Sequence, residues 1–525
     1  MLTTSRRFDA DVVVCGGGPA GSAAAIAAAR AGKRTILLEL RESLGGLCTN
    51  GYITGIAGVV DGICKEWLER LDAEGHAVIR PHLPTVEPEF GKIMLEQMVL
   101  QSGARILYGA HVVDCIVEDG KIKSVVAYCK SGRIEITGRV FIDATGDADI
   151  AFAAGVPCEV GSAEFCGLNQ SVTMGFRLSY VNLKAYQEAN DAWRKHPDYD
   201  PNDLRKRSLI VYKEHQAVAN GDLHELLSPG NIVYPMPVGD PTCTDVTLDA
   251  THTFDCHTDD VVDLTRQIVD QHRKVVWFVD FLKKYVPGFE KAELTAIASM
   301  NGVRDSRRIV GEYIFRDIDL GLAAKFEDGI YQHTEFYDTH VPTPGHHTAL
   351  RHIHYKEPVE PACCRPSQDL EDYMMHPLVK PDGAYEIRTN PREYCEIPFR
   401  SLIARGVDNL LAVGRCCSAE FHALGSIRVI APSMGMGQAA GLGASIFIDK
   451  GLGALRELDG RLVRQAMIDS GVNLNNPPGG YWELLRNFEG DLVVSPSDMI
   501  EIRNKKGETP RMFEKYVKLN GKNEN

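Results

Sequence analysis

The sequence predicts an α/β fold in which a Rossmann-type domain is built from discontinuous segments, with an α+β domain inserted among them. Three observations carry this. A buried strand, a glycine-rich turn, an alanine-rich helix and a second strand follow one another over residues 11–39. Short apolar runs at 139–143 and 409–413 have the character of parallel strands buried on both faces, yet lie far apart in the chain. From about Pro157 to Pro398 the pattern changes, and strand-like pieces alternate with long helical stretches.

The elements follow in order. Asp11 to Cys15 is the first strand. Gly16-Gly17-Gly18-Pro19-Ala20-Gly21 turns the chain, Ser22 to Ala31 is helical, Gly32 stops the helix, and Arg34 to Glu39 is the second strand. Ile93 to Ser102 reads as a helix and Ala104 to Tyr108 as a strand. His111 to Glu118 and Lys121 to Cys129 flank Asp119-Gly120, a hairpin turn signal. Arg139 to Asp143 is a strand that runs into Ala144-Thr145-Gly146-Asp147. In the middle, Ser171 to Leu178 and Leu294 to Ser299 read as strands, and Asp263 to Tyr285 as one long helix closed by Pro287-Gly288. Residues 331 to 395, rich in Pro, His and turn residues, read as an elaborated loop region over a site. Asn409 to Val413 is a late strand ending in Gly414-Arg415. Pro432 begins a Gly/Ala-rich helix to about Lys450, Arg456 to Ser470 is a last amphipathic helix, and the charged stretch from Ile500 is peripheral.

Composition narrows the class. A chain of 525 residues is too long for one core. Its net charge of −14 argues against nucleic acid or an anionic membrane as the main partner. No stretch reaches the roughly 18 uncharged apolar residues of a membrane helix, and no apolar leader precedes the first strand, so the expected location is cytoplasmic. The 14 cysteines include no C-x-x-C, which speaks against zinc and iron–sulfur sites and for reduced, mostly buried thiols. Homo-oligomerisation stays open.

Gly16-x-Gly18-x-x-Gly21 opens a helix directly after a buried strand. Gly16 permits the tight turn, Gly18 lets a diphosphate approach the backbone, and Gly21 lets the helix pack on the sheet. The helix start at Pro19 and Ala20 supplies free N–H groups and partial positive charge. Glu39, 18 residues beyond Gly21, stands where an acid takes a ribose hydroxyl pair. The motif by itself does not separate NAD from FAD.

Other segments resemble those of the two-dinucleotide-binding-domain, glutathione-reductase-like flavoproteins. Leu44-Gly45-Gly46-Leu47-Cys48 looks like their glycine pair beside the flavin diphosphate and ribitol. Ala144-Thr145-Gly146-Asp147 resembles their second FAD fingerprint, and Asn409 to Arg415 the third. The helix from Pro432 would point its N-terminus at the flavin pyrimidine ring. A closer likeness is to a large bacterial group of FAD-dependent oxidoreductases: Val303 to Tyr313 resembles its R-x-S-R-R-I-x-G-x-Y segment. Residues 409–441 resemble its N-L-L-x-x-G-R-C-x-S-A-x-H-x-A-L-G-S-I-R-V stretch with the following G-Q-A-A-G.

The resemblance implies FAD as cofactor, with no attachment motif for covalent flavin in evidence. Leu40, Arg41, Val112, Val113, Gly414, Arg415, Ser426, Ile427, Arg428, Gly437 and Gln438 join the glycines, Glu39 and the 144–147 loop as cofactor-binding residues. It divides the chain into FAD-binding segments at 1–156 and 398–450, a substrate domain at 157–290, an associated segment at 291–330, a loop-rich substrate or lid region at 331–397 and a helical extension at 451–525. Disulfide reductases carry a second cysteine five positions after the one at 48. Here that position is Ile53, so Cys48 reads first as a packing residue.

Hydride transfer to flavin from an alcohol or amine also needs a base for the heteroatom proton. His422 is the first choice, because imidazole titrates near neutral pH and lies between two inferred flavin segments; a structural core histidine is the competing reading. Arg304, Arg307 and Arg308 form a basic group in which one or two guanidiniums could hold a substrate carboxylate, against ion pairing with Asp305, Glu312 or Asp317. If that segment is helical, Arg304 and Arg307 share a face. His340, His346, His347, His352 and His354 crowd one loop, and His252, Cys256 and His257 another, but neither spacing is that of a metal site. The expected function is an FAD-dependent oxidase or dehydrogenase acting on a small polar organic substrate, an alcohol, sugar-like molecule or amine, with dioxygen or another electron acceptor. Two rivals remain: a reductase or hydroxylase fed by NAD(P)H, and an electron-transfer subunit. No second nicotinamide-binding unit is apparent.

Overall fold

Val12–Cys15 is apolar on both faces and lies at the centre of a five-stranded sheet. In spatial order the strands are Leu410–Ala412, Val140–Asp143, Val12–Cys15, Thr35–Glu39 and Arg105–Tyr108, all parallel. The late strand therefore joins a sheet begun 400 residues earlier in the chain. The structure, a computed structural model, describes residues 4–478 apart from 80–82, 201–205, 207, 228–232, 239–241, 322 and most of 335–393.

Helix α1 (Pro19–Arg30) packs against the long helix of the C-terminal segment. Their closeness depends on missing side chains. A Cβ at Gly437 would sit 1.9 Å from the carbonyl oxygen of Ala20, and one at Gly441 2.4 Å from that of Ala24. The hairpin 111–129 turns at Asp119 and Gly120, both with positive φ. With Thr4–Asp9 and Gly132–Thr137 it forms a second, four-stranded sheet.

The inserted part has its own antiparallel sheet, in the order Val233–Met236, Asp245–Thr253, Val172–Ser179, Glu293–Ile297. Side chains on strands alternate between faces. Met174, Phe176, Leu178, Val246, Leu248 and Ala250 face helix α2 (Val261–Tyr285) and form a separate core with Val275, Phe278 and Leu282. The opposite face carries Thr173, Gly175, Thr247 and Asp249, and it too is turned inward.

Several elements differ from the sequence reading. Arg304 and Arg307 share no helical face, because Arg307–Ile309 is a strand paired with Cys158–Val160. An unforeseen helix, α3 (Phe421–Ile427), precedes α4 (Ile430–Lys450), in which Pro432 sits in the first turn rather than starting the helix. Gly425 and Ser426 hid α3, since neither favours a helix interior. The stretch 331–395 is not all loop. Gly329–His333 pairs with Cys395–Pro398, and His352–Tyr355, Tyr385–Arg388 and Leu378–Val379 form a small sheet. His346, His347 and the stretch from Ile500 lie outside the described residues. Among the described residues no helix is long and apolar enough to cross a membrane, every cysteine is free of disulfides, and no group of three His, Cys, Asp or Glu is arranged to hold a metal.

Candidate active site

The site forms where the parallel strands end. In open α/β sheets the carboxyl ends of the strands border the ligand crevice. Here those ends deliver Gly16, Glu39, Ala144 and Gly414 to one edge. Gly16 has φ +102°, and a Cβ there would lie 2.4 Å from the Ala144 carbonyl oxygen. Gly18 differs: a Cβ there would meet no atom within 4 Å. It caps α1 without any side-chain hydrogen bond, so the first N–H groups of the helix face this open space. Gly46 closes its far side, its would-be Cβ 3.0 Å from Gly18 Cα, and Gly45 N–H donates to Gly17 O at 2.8 Å. This cradle fits a dinucleotide diphosphate by shape and by dipole.

Glu39 ends its strand with its carboxylate accepting from Gly17 N at 2.6 Å and Arg41 N at 2.7 Å. Burial pushes its pKa up, against those two bonds. Leu40 is exposed, and Arg41 reaches the Ser299 carbonyl at 2.7 Å. Val112 is buried at the start of the neighbouring hairpin and Val113 is exposed.

Three distant segments knit together beside the cradle. Arg415 Nη1 reaches Asp147 Oδ1 at 2.7 Å and Ser306 Oγ at 3.1 Å. Burial opposes ionisation of Asp147, but Arg415 and its hydrogen bonds hold its pKa below the usual value. Thr145 hydrogen-bonds Asp143, and Gly146 packs against the Arg415 guanidinium. Arg307 is drawn to the same loop, donating to Asp147 O at 2.8 Å and Asp149 at 2.7 Å over the Phe152 ring. Arg308 donates to the Ala419 and Gly161 carbonyls. The basic group of the sequence is therefore dispersed, and only Arg304 turns toward the inserted sheet.

Helix α3 presents His422 and Ser426 one turn apart. His422 is buried, with Nδ1 3.2 Å from Thr339 Oγ1 and Nε2 2.9 Å from Glu164 Oε2. Ile427 is buried in the apolar core. Gln438 is engaged on both sides, accepting from Ile63 N at 2.9 Å and donating to Ser470 Oγ at 2.9 Å, and Gly437 serves the helix contact described above. Leu47 N-caps nothing but carries the turn that packs Cys48 fully inside. Burial pushes the Cys48 thiol well up, as suits a packing residue.

The sequence reading passed over His333. It is 1% exposed, and its Nε2 lies 2.7 Å from Ser426 Oγ. Burial pushes its pKa down to about 3 from an ordinary 6.5. The folded protein thus binds fewer protons here than the unfolded chain. Its contribution is complete above about pH 6.5 and is lost as the pH falls from there toward 3, by about 1.4 kcal/mol per pH unit. Urea midpoints at pH 7 and pH 5 should differ accordingly, and His333→Gln should flatten that difference.

The polar face of the inserted sheet covers the segment that follows the Gly45–Gly46 turn. A Cβ at Gly175 would lie 2.4 Å from Gly51 O, and one at Gly55 2.6 Å from the Tyr234 hydroxyl. Opposed residues of an antiparallel pair share a face, so Asp249 lies beside Gly175, and Thr247 beside Arg177 and Tyr234. Buried atoms without a hydrogen-bond partner concentrate here: Thr54 Oγ1, Ser171 Oγ, Thr247 Oγ1, Asp249 Oδ1, Gln170 Nε2 and the Asn301 amide. Each such group costs about 1–3 kcal/mol if left unmet. The alternation in Asp245–Thr253 (DVTLDATHT) announced a polar face, but not that it would be buried.

The comparisons agree with this geometry. Thiamine thiazole synthase of Archaeoglobus fulgidus is 30% identical over 165 residues, 29% of this chain and 63% of the relative. Digeranylgeranylglycerophospholipid reductase 1 of Methanopyrus kandleri is 29% identical over 181 residues, 32% of this chain and 48% of the relative. The chain thus covers less than two thirds of these relatives' own length. A geranylgeranyl bacteriochlorophyll reductase-like structure from Thermoplasma acidophilum aligns at TM-score 0.43 and 12% identity, over 99% of this chain and 97% of that one. The family model described as FAD dependent oxidoreductase matches residues 11–467, and the chain belongs to that family.

Proposed function

We propose that this FAD enzyme oxidises a small polar organic substrate, an alcohol, sugar-like molecule or amine, and passes the electrons to dioxygen or another acceptor. Within the family it is read as a two-dinucleotide-binding-domain flavoprotein of the bacterial group described above, with FAD held by 1–156 and 398–450 and the substrate by 157–290 and 331–397. The observation that carries this is the buried, polar, unsatisfied face of the inserted sheet lying across Gly51–Gly55. An apolar substrate would leave those groups unmet, and a carrier protein would have no use for them.

Bound FAD supplies a two-electron hydride acceptor. The chain's own residues do the rest. Gly18 and the start of α1 hold the diphosphate, and Arg415 with Asp147 fixes the loop beside it. Thr247, Asp249 and Asn301 orient substrate hydroxyl or amino groups. As the substrate C–H leaves with its electron pair, the heteroatom proton passes to Nε2 of His422, and a C=O or C=N bond forms. Glu164, which now meets that nitrogen, is 59% exposed and free to swing aside.

The test is anaerobic. The visible flavin band should bleach with a member of a panel of polyols, sugars, amines and hydroxy acids and persist with NADH and NADPH. Rapid bleaching by nicotinamide with no response to the panel would reject the proposal in favour of a reductase or hydroxylase.

A further inference from the structure

Arg304 is 8% exposed. Its one hydrogen bond is from Nη1 to the Ser171 carbonyl at 2.7 Å, and among the described residues no carboxylate lies within ion-pair distance of it. A buried cation ordinarily has a counter-ion. Arg428, at the end of α3, shares the cluster. Its Nη2 meets Asp338 Oδ2 at 3.2 Å, while its buried Nε has no partner. A short chain of contacts ties the two arginines into one pocket wall. Asp338 also binds His340 Nε2 at 3.2 Å. His340 N donates to Gln170 Oε1 at 3.1 Å, and Ser171 N donates to the His340 carbonyl at 3.2 Å. His340 stacks on His252, their ring centroids 5.4 Å apart.

Asp338 is thus shared between His340 and Arg428, and Arg304 has none of it at ion-pair distance. Burial lowers the pKa of both guanidiniums, and each is among the charges that act on the other's neighbourhood. The donors left over are Arg304, Arg428 Nε and Gln170 Nε2; beside them stand Ser171 Oγ, the Asn301 amide and Asp249 Oδ1. Cationic donors at one end and hydroxyl-sized partners at the other describe a ligand with an anionic head and a hydroxylated body. A guanidinium pair favours a planar carboxylate, which takes two N–H bonds side by side.

We propose that Arg304 and Arg428 together bind a carboxylate, so that the substrate is a hydroxylated carboxylic acid. This rests on the functional reading above for its place in the reaction, but not for the binding itself.

The experiment separates the two. Oxidised holoenzyme is titrated with acid and amide pairs of equal shape: lactate and lactamide, glycerate and glyceramide, gluconate and gluconamide. Perturbation of the flavin spectrum reports binding, and anaerobic bleaching reports oxidation. At least one acid should bind about tenfold or more tightly than its amide, and Arg304→Gln and Arg428→Gln should erase that preference while FAD content stays at the wild-type level. Binding without bleaching would uphold the carboxylate site and reject hydride removal. Amides that bind as well as their acids, or no binding by any acid, would overturn the carboxylate site, and the wild-type titration decides this even if a variant fails to fold.

Discussion

Valine at position 18 is expected to yield a folded protein that purifies without FAD. The backbone tolerates it, since Gly18 sits at φ −65°, ψ −174°, an extended conformation open to any residue. The fold tolerates it too, because the new Cβ meets nothing within 4 Å. The space it enters is the cradle in front of α1, where a diphosphate must touch the backbone. FAD affinity should fall by at least about a hundredfold, taking the loss of close backbone contacts at about 1.5–3 kcal/mol for charged hydrogen bonds. The flavin-to-protein absorbance ratio after purification and the circular dichroism spectrum read the two halves of the prediction. Gly21→Val is the contrast. Its Cβ would start 1.8 Å from the Gly16 carbonyl oxygen, so the turn itself must move and the protein should lose stability along with FAD. Full flavin content in the Gly18 variant would show that the diphosphate lies elsewhere.

His422→Ala should keep FAD and slow substrate-driven flavin reduction by roughly 10²–10⁴-fold, the usual worth of a positioned base. The ring is held from both sides by Thr339 and Glu164, so alanine leaves a buried gap of imidazole size on α3. That gap provides a second readout. Free imidazole added to the variant should restore part of the rate if the lost group was a proton acceptor, whereas a purely structural histidine would not be rescued in this way. Stopped-flow reduction under anaerobic conditions measures both. A rate equal to wild type would remove His422 from the mechanism and leave the ring as a core residue bonded to its neighbours.

How much of this was legible beforehand varies with the range of the interaction. The strands 12–15, 35–39, 105–108, 140–143 and 410–412 were each readable as buried parallel strands, because a strand covered on both faces must be apolar throughout. The turn Gly16–Gly21 was readable because helix packing and a backbone-bound phosphate both exclude side chains at fixed spacing. Helix α2 and the hairpin turn at Asp119-Gly120 followed from local periodicity and positive φ. Helix α3 did not, because its glycine and serine obscure a helix that is held by packing against its surroundings.

The arginines show the limit most clearly. Arg304, Arg307 and Arg308 are near neighbours in sequence, and nothing local tells them apart. Only tertiary structure sends Arg307 to the Asp147–Asp149 loop, Arg308 to backbone carbonyls, and Arg304 into a buried cluster with an arginine more than a hundred residues away. The same holds for the inserted sheet. Its alternation of polar and apolar residues is a property of the strand, but whether the polar face meets water or cofactor-domain backbone depends on what folds over it. The sequence by itself determined the sheet, the phosphate turn and the family. Tertiary structure decided which side chains share a pocket, because burial and charge pairing arise from contacts between segments that carry no trace of one another locally.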